Sequence, residues 1–292
     1  MSELGLRWIS AGMLLPPLLY VCYLGGYWFV AIIAVLSAVA VNEFYGFIVA
    51  KGARAHRAFG TVATAALPFV VYLGDATLAT SFLTAVLLVT LLLQLGKRRI
   101  EEAIASISAT FFGVYYCGWL LSHAVSLRQL PVDPRLASLE LPAEAGICYV
   151  ILAVAGALGS DAGAFFVGRR FGRHKLAPKV SPGKTLEGAA GGLVAGALLV
   201  LLCKLAFDHL LPGGLASGLG SGAALLMGAA IAVAAIVGDL IESLLKRDAH
   251  VKDAGHVLPG VGGVLDRIDS ALFAFPVMYY LLLGYYHFGR VA

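Results

Sequence analysis

Charge is scarce in this sequence. Only 13% of its 292 residues are charged, against 60% hydrophobic and a mean hydropathy of +0.89. A water-soluble domain of this length is excluded, since too few polar side chains remain to cover its surface. Cysteine is sparse as well: Cys22, Cys117, Cys148 and Cys203 are scattered through apolar runs without C-x-x-C spacing. That pattern argues against a thiolate metal centre or a dithiol redox pair and leaves four small core residues. No histidine pair has H-E-x-x-H spacing, so a zinc site has little support. A Walker motif is missing too, because Pro178 stands where SPGKT (residues 181–185) would need a glycine. No small-x-small cleavage site follows the first apolar run through Leu14, Pro16, Pro17 and Val21, which reads as a retained helix.

What the chain does have is apolar length. A membrane-crossing helix needs roughly 20 apolar residues, and about nine such segments are separated by short polar or glycine-rich breaks. The expected fold is an all-α polytopic integral membrane protein with about nine transmembrane helices. After the first run, the spans fall at about 28–47, 59–74, 77–95, 103–127, 145–167 and 188–207, with one ahead of residue 238 and one from about 269. About five of them form an N-terminal region, 1–140. The remainder form a C-terminal region, 141–292, which carries two polar loops. The connection 128–144, with three prolines, reads as an irregular loop.

Basic residues fall on alternate connections: Arg7, then 51–57, 97–99, 169–184 and 246–267. These hold 17 of the 21 Lys and Arg residues, and by the positive-inside rule that side is cytoplasmic.

One interval concentrates the charge. Residues 238–269, GDLIESLLKRDAHVKDAGHVLPGVGGVLDRID, hold ten charged side chains between two apolar runs. Asp239, Glu242, Ser243 and Lys246 stand at i, i+3, i+4 and i+7, so a helix would stack them on one face. Asp266 and Asp269 repeat the i, i+3 spacing. Paired carboxylates suit a hard divalent cation. Lys246, Arg247 and Lys252 offer cations for phosphates, and Gly255, Gly260, Gly262, Gly263 and Pro259 make a loop that a bulky anion can approach closely. Acids for metal, bases for phosphate and a permissive loop suit metal-assisted phosphoryl or nucleotidyl transfer. The plainer alternative is a charged cytoplasmic loop whose aspartates cap the next helix.

The second polar stretch runs from Ser160 and Asp161 to Glu187. Asp161 ends a span, and Lys175, Lys179 and Lys184 follow with Ser181 and Thr185 as hydroxyl donors, a set able to contact a triphosphate or lipid phosphate. The alternative is a loop that meets only anionic head groups. Glu187 reads as a helix N-terminal acid rather than a cation ligand. Glu43, near the end of an apolar run, is open to two readings: a functional intramembrane acid, or a snorkelling or capping group. Gly156, Gly159, Gly188, Gly191, Gly192 and Gly196 allow close helix approach within one subunit or between two.

Ser243, Lys246, Arg247, Lys252, Asp253, Gly255, Leu258, Pro259, Gly262, Gly263, Asp266, Arg267 and Asp269 resemble, in identity and spacing, the signature of the phosphatidate cytidylyltransferases, or CDP-diacylglycerol synthases. The likeness extends more loosely from about Asn42 to the end and covers the 161–187 stretch. Val261 departs from it, standing where that family usually places a histidine.

The resemblance implies an enzyme joining CTP and phosphatidate into CDP-diacylglycerol and pyrophosphate at the cytoplasmic face of the inner membrane. It implies metal ligation by Asp239 and Asp266, with Asp269 and Asp161 next. It also implies Mg2+, a second monovalent cation such as K+, and a homodimer. Asp239, Asp266, Lys246 and Arg247 are the expected catalytic set. Lys184, Ser181, Thr185, Ser243, Lys252, Asp253, Gly262, Gly263 and Arg267 are the expected substrate contacts, although chemistry alone assigns no role to Ser243 or Asp253. Membrane lipids are expected partners and nucleic acid is not. The rival readings are an ion-coupled transporter using Asp161, Asp239 and Glu43, and a lipid-binding scaffold.

Overall fold

The computed structural model describes residues 17, 19–74, 76–97, 101–210, 219–255 and 262–288. Most of the expected first span lies outside them, as do Arg7, Arg98, Arg99, Leu258, Pro259, Gly260 and Val261. The chain is an all-α polytopic membrane protein. Its helices are α1 (Gly26–Ala50), α2 (Arg57–Tyr72), α3 (Ala76–Leu95), α4 (Ala103–Gly113), α5 (Leu120–Gln129), α6 (Ala145–Phe171), α7 (Leu186–Leu210), α8 (Ser221–Asp248) and α9 (Leu265–Phe288). A π-helical stretch, Val114–Trp119, joins α4 to α5, so these form one span over Ala103–Val132. Among the described residues seven helical segments are long and apolar enough to cross a membrane. The 16-residue α2, interrupted by Pro68, falls short of that length.

Two features differ from expectation. The 169–187 stretch is not a plain loop: β1 (Lys175–Ala177) and β2 (Ser181–Thr185) form an antiparallel pair with Lys175 opposite Thr185. Backbone groups of this basic segment thereby find partners in each other, which positive charge alone gave no reason to expect. The connection 128–144 is partly ordered in 3-10 turns, and Arg135 chelates Asp133 and donates to Tyr279. The Arg135 hydrogen bond holds the Asp133 carboxyl below its ordinary range.

The chain forms two compact units that interleave in sequence. The first comprises residues 1–125 and 245–268, and the second residues 126–244 and 269–292. Local contacts account for the polar interval 245–268 joining the N-terminal helices. Lys51 pairs with Asp248 at 2.5 Å, and Glu43 accepts hydrogen bonds from Val264 and Leu265.

In the first unit, Ala63, Leu67, Val86 and Val114 form a core flanked by Phe59, Phe82, Phe111 and Trp119. Tyr45 on α1 donates its hydroxyl to the Thr110 carbonyl at 2.9 Å. Its ring fills the space where side chains at Gly60 and Gly113 would stand.

In the second unit, the glycines of α6 and α7 set the packing. A Cβ at Gly196 would lie 2.8 Å from both the Ala232 methyl and the Gly156 carbonyl, and one at Gly192 would lie 2.7 Å from the Ser160 carbonyl. The helices therefore meet backbone to backbone within one chain, as small-residue faces allow in lipid. Gly196→Val is expected to lower the thermal midpoint of the detergent-solubilised protein, since overpacking costs about 1–3 kcal/mol. An unchanged midpoint in fluorescence-monitored melting would show that α6, α7 and α8 do not pack this tightly.

Candidate active site

The signature residues divide between two side-chain clusters, one in each unit. In the first, everything converges on the N-terminus of α9. The carboxylate of Glu43, only 7% exposed, accepts the Val264 N–H at 3.0 Å through one oxygen and the Leu265 N–H at 2.8 Å through the other. Those amides have no partner inside their own helix, and the helix dipole favours an anion there. Glu43 is therefore a cap supplied in trans by α1. Of the two readings open from sequence, the structure selects capping. The carboxylate also explains two glycines, since a Cβ at Gly255 or Gly263 would fall 2.5 or 2.6 Å from its oxygens.

Asp266 follows in the first turn of α9. Its Oδ2 accepts the N–H groups of Ala254 at 2.9 Å and Gly263 at 2.8 Å, and its Oδ1 accepts from Lys246 Nζ at 2.7 Å. One carboxylate thus ties both sides of the polar loop to the end of α8. Gly262 holds the turn at φ 96°, a left-handed conformation that favours glycine. Lys246 and Asp266 are mostly shielded, whereas Arg247, Lys252, Asp253 and Arg267 are exposed. The expected phosphate-binding cations therefore lie at the surface around a buried anchor.

The second cluster gathers side chains of α6, β2, α8 and α9. Lys184 on β2 pairs with Asp239 on α8 at 2.6 Å, and Ser243 donates weakly to the other Asp239 oxygen at 3.4 Å. Asp161 on α6 accepts from Ser270 at 3.5 Å and lies within electrostatic range of both Asp239 and Lys184. The helices reach this separation because residue 238 is glycine: a Cβ there would sit 2.6 Å from the Asp269 carbonyl. The β-hairpin is what delivers Lys184, and no periodicity in the sequence signals that contact.

Two expected ligands have structural partners. Thr185 is buried and its hydroxyl accepts the Gly188 N–H at 3.1 Å, satisfying the first turn of α7. Asp269 Oδ1 accepts the adjacent Ser270 N–H at 2.6 Å. Ser181 begins β2 and is half-buried, while Lys175 and Lys179 are exposed. Glu187 accepts the N–H groups of Arg173 and His174 and bonds His174 Nδ1 at 2.6 Å, anchoring the start of the hairpin to α7. Nothing in the sequence around His174 or Ser270 marks them for these contacts.

Among the described residues, no three His, Cys, Asp or Glu side chains form a ready metal cage. The donor set of the second cluster nonetheless fits a magnesium ion. Asp161 and Asp239 bring two carboxylates against one ammonium, leaving net negative charge on hard oxygen donors, and magnesium characteristically takes few protein carboxylates and completes its shell with phosphate and water.

A cytidylyltransferase family model matches residues 5–285. The chain belongs to the cytidylyltransferase family. Three relatives illustrate the range. The Synechocystis phosphatidate cytidylyltransferase is 32% identical over 282 residues, covering 89% of this chain and 90% of its own. The Bacillus subtilis phosphatidate cytidylyltransferase is 42% identical over 137 residues, covering 47% and 48%. The Escherichia coli protein YnbB, whose role is uncharacterised, is 37% identical over 177 residues, covering 61% and 54%. Against these last two the chain spans about half the relative's length. For this cytidylyltransferase-family chain the transporter reading gains no support, and Glu43, one of the acids it required, is committed to capping α9.

Proposed function

We propose that the protein transfers the CMP group of CTP to phosphatidate, releasing pyrophosphate and forming CDP-diacylglycerol. The observation that carries this reading is that each of the two leading metal-ligand candidates is held against an ammonium, Asp239 on Lys184 and Asp266 on Lys246, in a chain of the cytidylyltransferase family.

A phosphate oxygen of the lipid attacks the α-phosphorus of CTP in line. The new P–O bond forms as the bond between the α-phosphorus and the bridging oxygen breaks, and the electron pair leaves with pyrophosphate. An ionised phosphate monoester needs no general base, and none stands out. The larger obstacle is bringing two anionic reactants together, so neutralising charge is the main catalytic task. Lys184, Lys246, Arg247, Lys252 and Arg267 supply cations for it, with Ser181, Ser243 and Thr185 as hydroxyls and Gly262 as close-approach backbone. Asp239, Asp266, Asp269 and Asp161 are the candidate metal ligands, and bound magnesium would supply further neutralisation of phosphate charge. A monovalent cation such as potassium is the second ion of this proposal.

In this proposal the polar interval and the hairpin face the cytoplasm from the inner membrane, where nucleoside triphosphates are found; the concentration of basic residues on that side supports this orientation. A homodimer belongs to the same proposal and would be seen as a doubled protein mass in detergent by light scattering.

The test is transfer of label from α-labelled CTP to phosphatidate by the purified protein, with magnesium and with chelator. Magnesium-dependent labelling of lipid is expected. Flux of ions across liposomes without lipid labelling would instead revive the transporter.

A further inference from the structure

One groove in the first unit is not explained by helix packing. It has a volume of about 400 Å³ and is lined by Val35, Ala38, Val39, Asn42 and Glu43 of α1 and by Arg57, the first residue of α2. That volume falls in the range of roughly 300–1,000 Å³ typical of small-molecule sites. Val35, Ala38, Val39 and Asn42 stand at i, i+3, i+4 and i+7, so they form one stripe along α1 about 10 Å long at 1.5 Å per residue. Three apolar residues line the stripe and the polar groups gather at one end. Val35 is 59% exposed within an apolar span.

The polar end is built. Arg57 Nε donates to Asn42 Oδ1 at 2.8 Å, and one terminal nitrogen donates to the Asn42 carbonyl at 3.4 Å. Two of the five guanidinium N–H donors are thus used to fix the plane of the group, and among the described residues the remainder have no partner. A held guanidinium with donors to spare recognises an oxyanion bidentately. Glu43, at the same end, is directed to α9, with one amide on each of its oxygens. Through those amides the groove adjoins the residue before Asp266, so its polar end is next to the first cluster.

We propose that this groove seats phosphatidate, with the phosphomonoester on Arg57 and the start of an acyl chain along Val39, Ala38 and Val35. The proposal rests on the reading of phosphatidate as substrate and adds where it is held. The shape suits a ligand that is apolar along its length and anionic at one end. The held guanidinium favours a terminal phosphate, which presents several unesterified oxygens to a planar fork, over a phosphodiester, which presents two. Arg57 then acts on lipid recognition, and Ala38 limits the width of the chain's path.

The experiment uses the full-length protein in zwitterionic-lipid liposomes with a phosphatidate probe carrying a photoreactive group on the acyl chain near the glycerol. Crosslinks are expected on the peptide containing residues 35–42, displaced by phosphatidate but not by phosphatidylglycerol. Arg57→Ala is expected to raise KM for phosphatidate about tenfold, the equivalent of one charge-assisted contact, and Ala38→Phe to raise it by narrowing the acyl path, with KM for CTP unchanged in both. Arg57→Lys should restore part of the loss.

Crosslinks confined to other helices would overturn the assignment, as would equal displacement by phosphatidylglycerol, which marks a general anionic-lipid surface. A matching rise in KM for CTP would overturn it too. Unaltered kinetics of both variants, in a protein whose wild type labels phosphatidate, would sink this inference alone. A wild type that labels no lipid would sink the functional reading instead.

Discussion

Asp239→Asn is expected to reduce label transfer from CTP to phosphatidate by about a hundred- to a thousandfold, the scale of removing one electrostatic contact to a transition state, while leaving the folded protein nearly as stable. The two effects separate because of where the residue sits. Its partner Lys184 is 24% exposed and Asp239 itself 33%, so their ion pair is only partly shielded. Pairs of that kind contribute about 0–1 kcal/mol to stability. The asparagine keeps the shape of the side chain and can still meet Ser243, but it removes one of the two charges that Asp161 and Asp239 present together. Loss of activity with an unchanged melting midpoint would therefore locate Asp239 in the chemistry. Equal activity in the variant would remove it from the metal and phosphate assignment, and loss of both properties would make it a structural residue.

The second large effect is expected at Glu43. Glu43→Ala leaves the amides of the buried residues Val264 and Leu265 without their acceptor, each unsatisfied group costing about 1–3 kcal/mol. The cavity left beside Gly255 and Gly263 adds to this. Destabilisation of about 2–6 kcal/mol is expected, together with loss of lipid labelling, because Asp266 is the next residue along α9. Glu43→Gln keeps the volume and one carbonyl acceptor and should fall between the two. Thermal melting and label transfer measured side by side decide the role. If Glu43→Ala melts like the wild type yet has no activity, the carboxylate contacts substrate or cation directly and the capping account is wrong.

These two residues show where sequence and structure part. Asp239 and Asp266 stand out because charge in a chain this apolar is conspicuous, and the signature that includes Asp266 names the chemistry. Glu43 was visible as an acid near the end of a span, but the groups it would meet are more than 200 residues away. In the sequence, the glycines at 255 and 263 suggest room for a substrate anion. The structure shows that the room is taken by Glu43's own carboxylate. Gly196 and Gly192 were open to contacts between subunits or within one, and they lie against helices of the same chain.

The sequence by itself determined the membrane class, the helical periodicity and the family, because each depends on composition or short-range order. It also limited the candidate chemistry to carboxylates and cations near residues 161–187 and 239–269. Only the tertiary structure decided which of those groups pair: Lys184 with Asp239, Lys246 with Asp266, and Glu43 with the start of α9. The β-hairpin that carries Lys184 belongs to the same category. Such pairings depend on backbone positions fixed by packing between distant helices and by hydrogen-bond partners that no local pattern specifies.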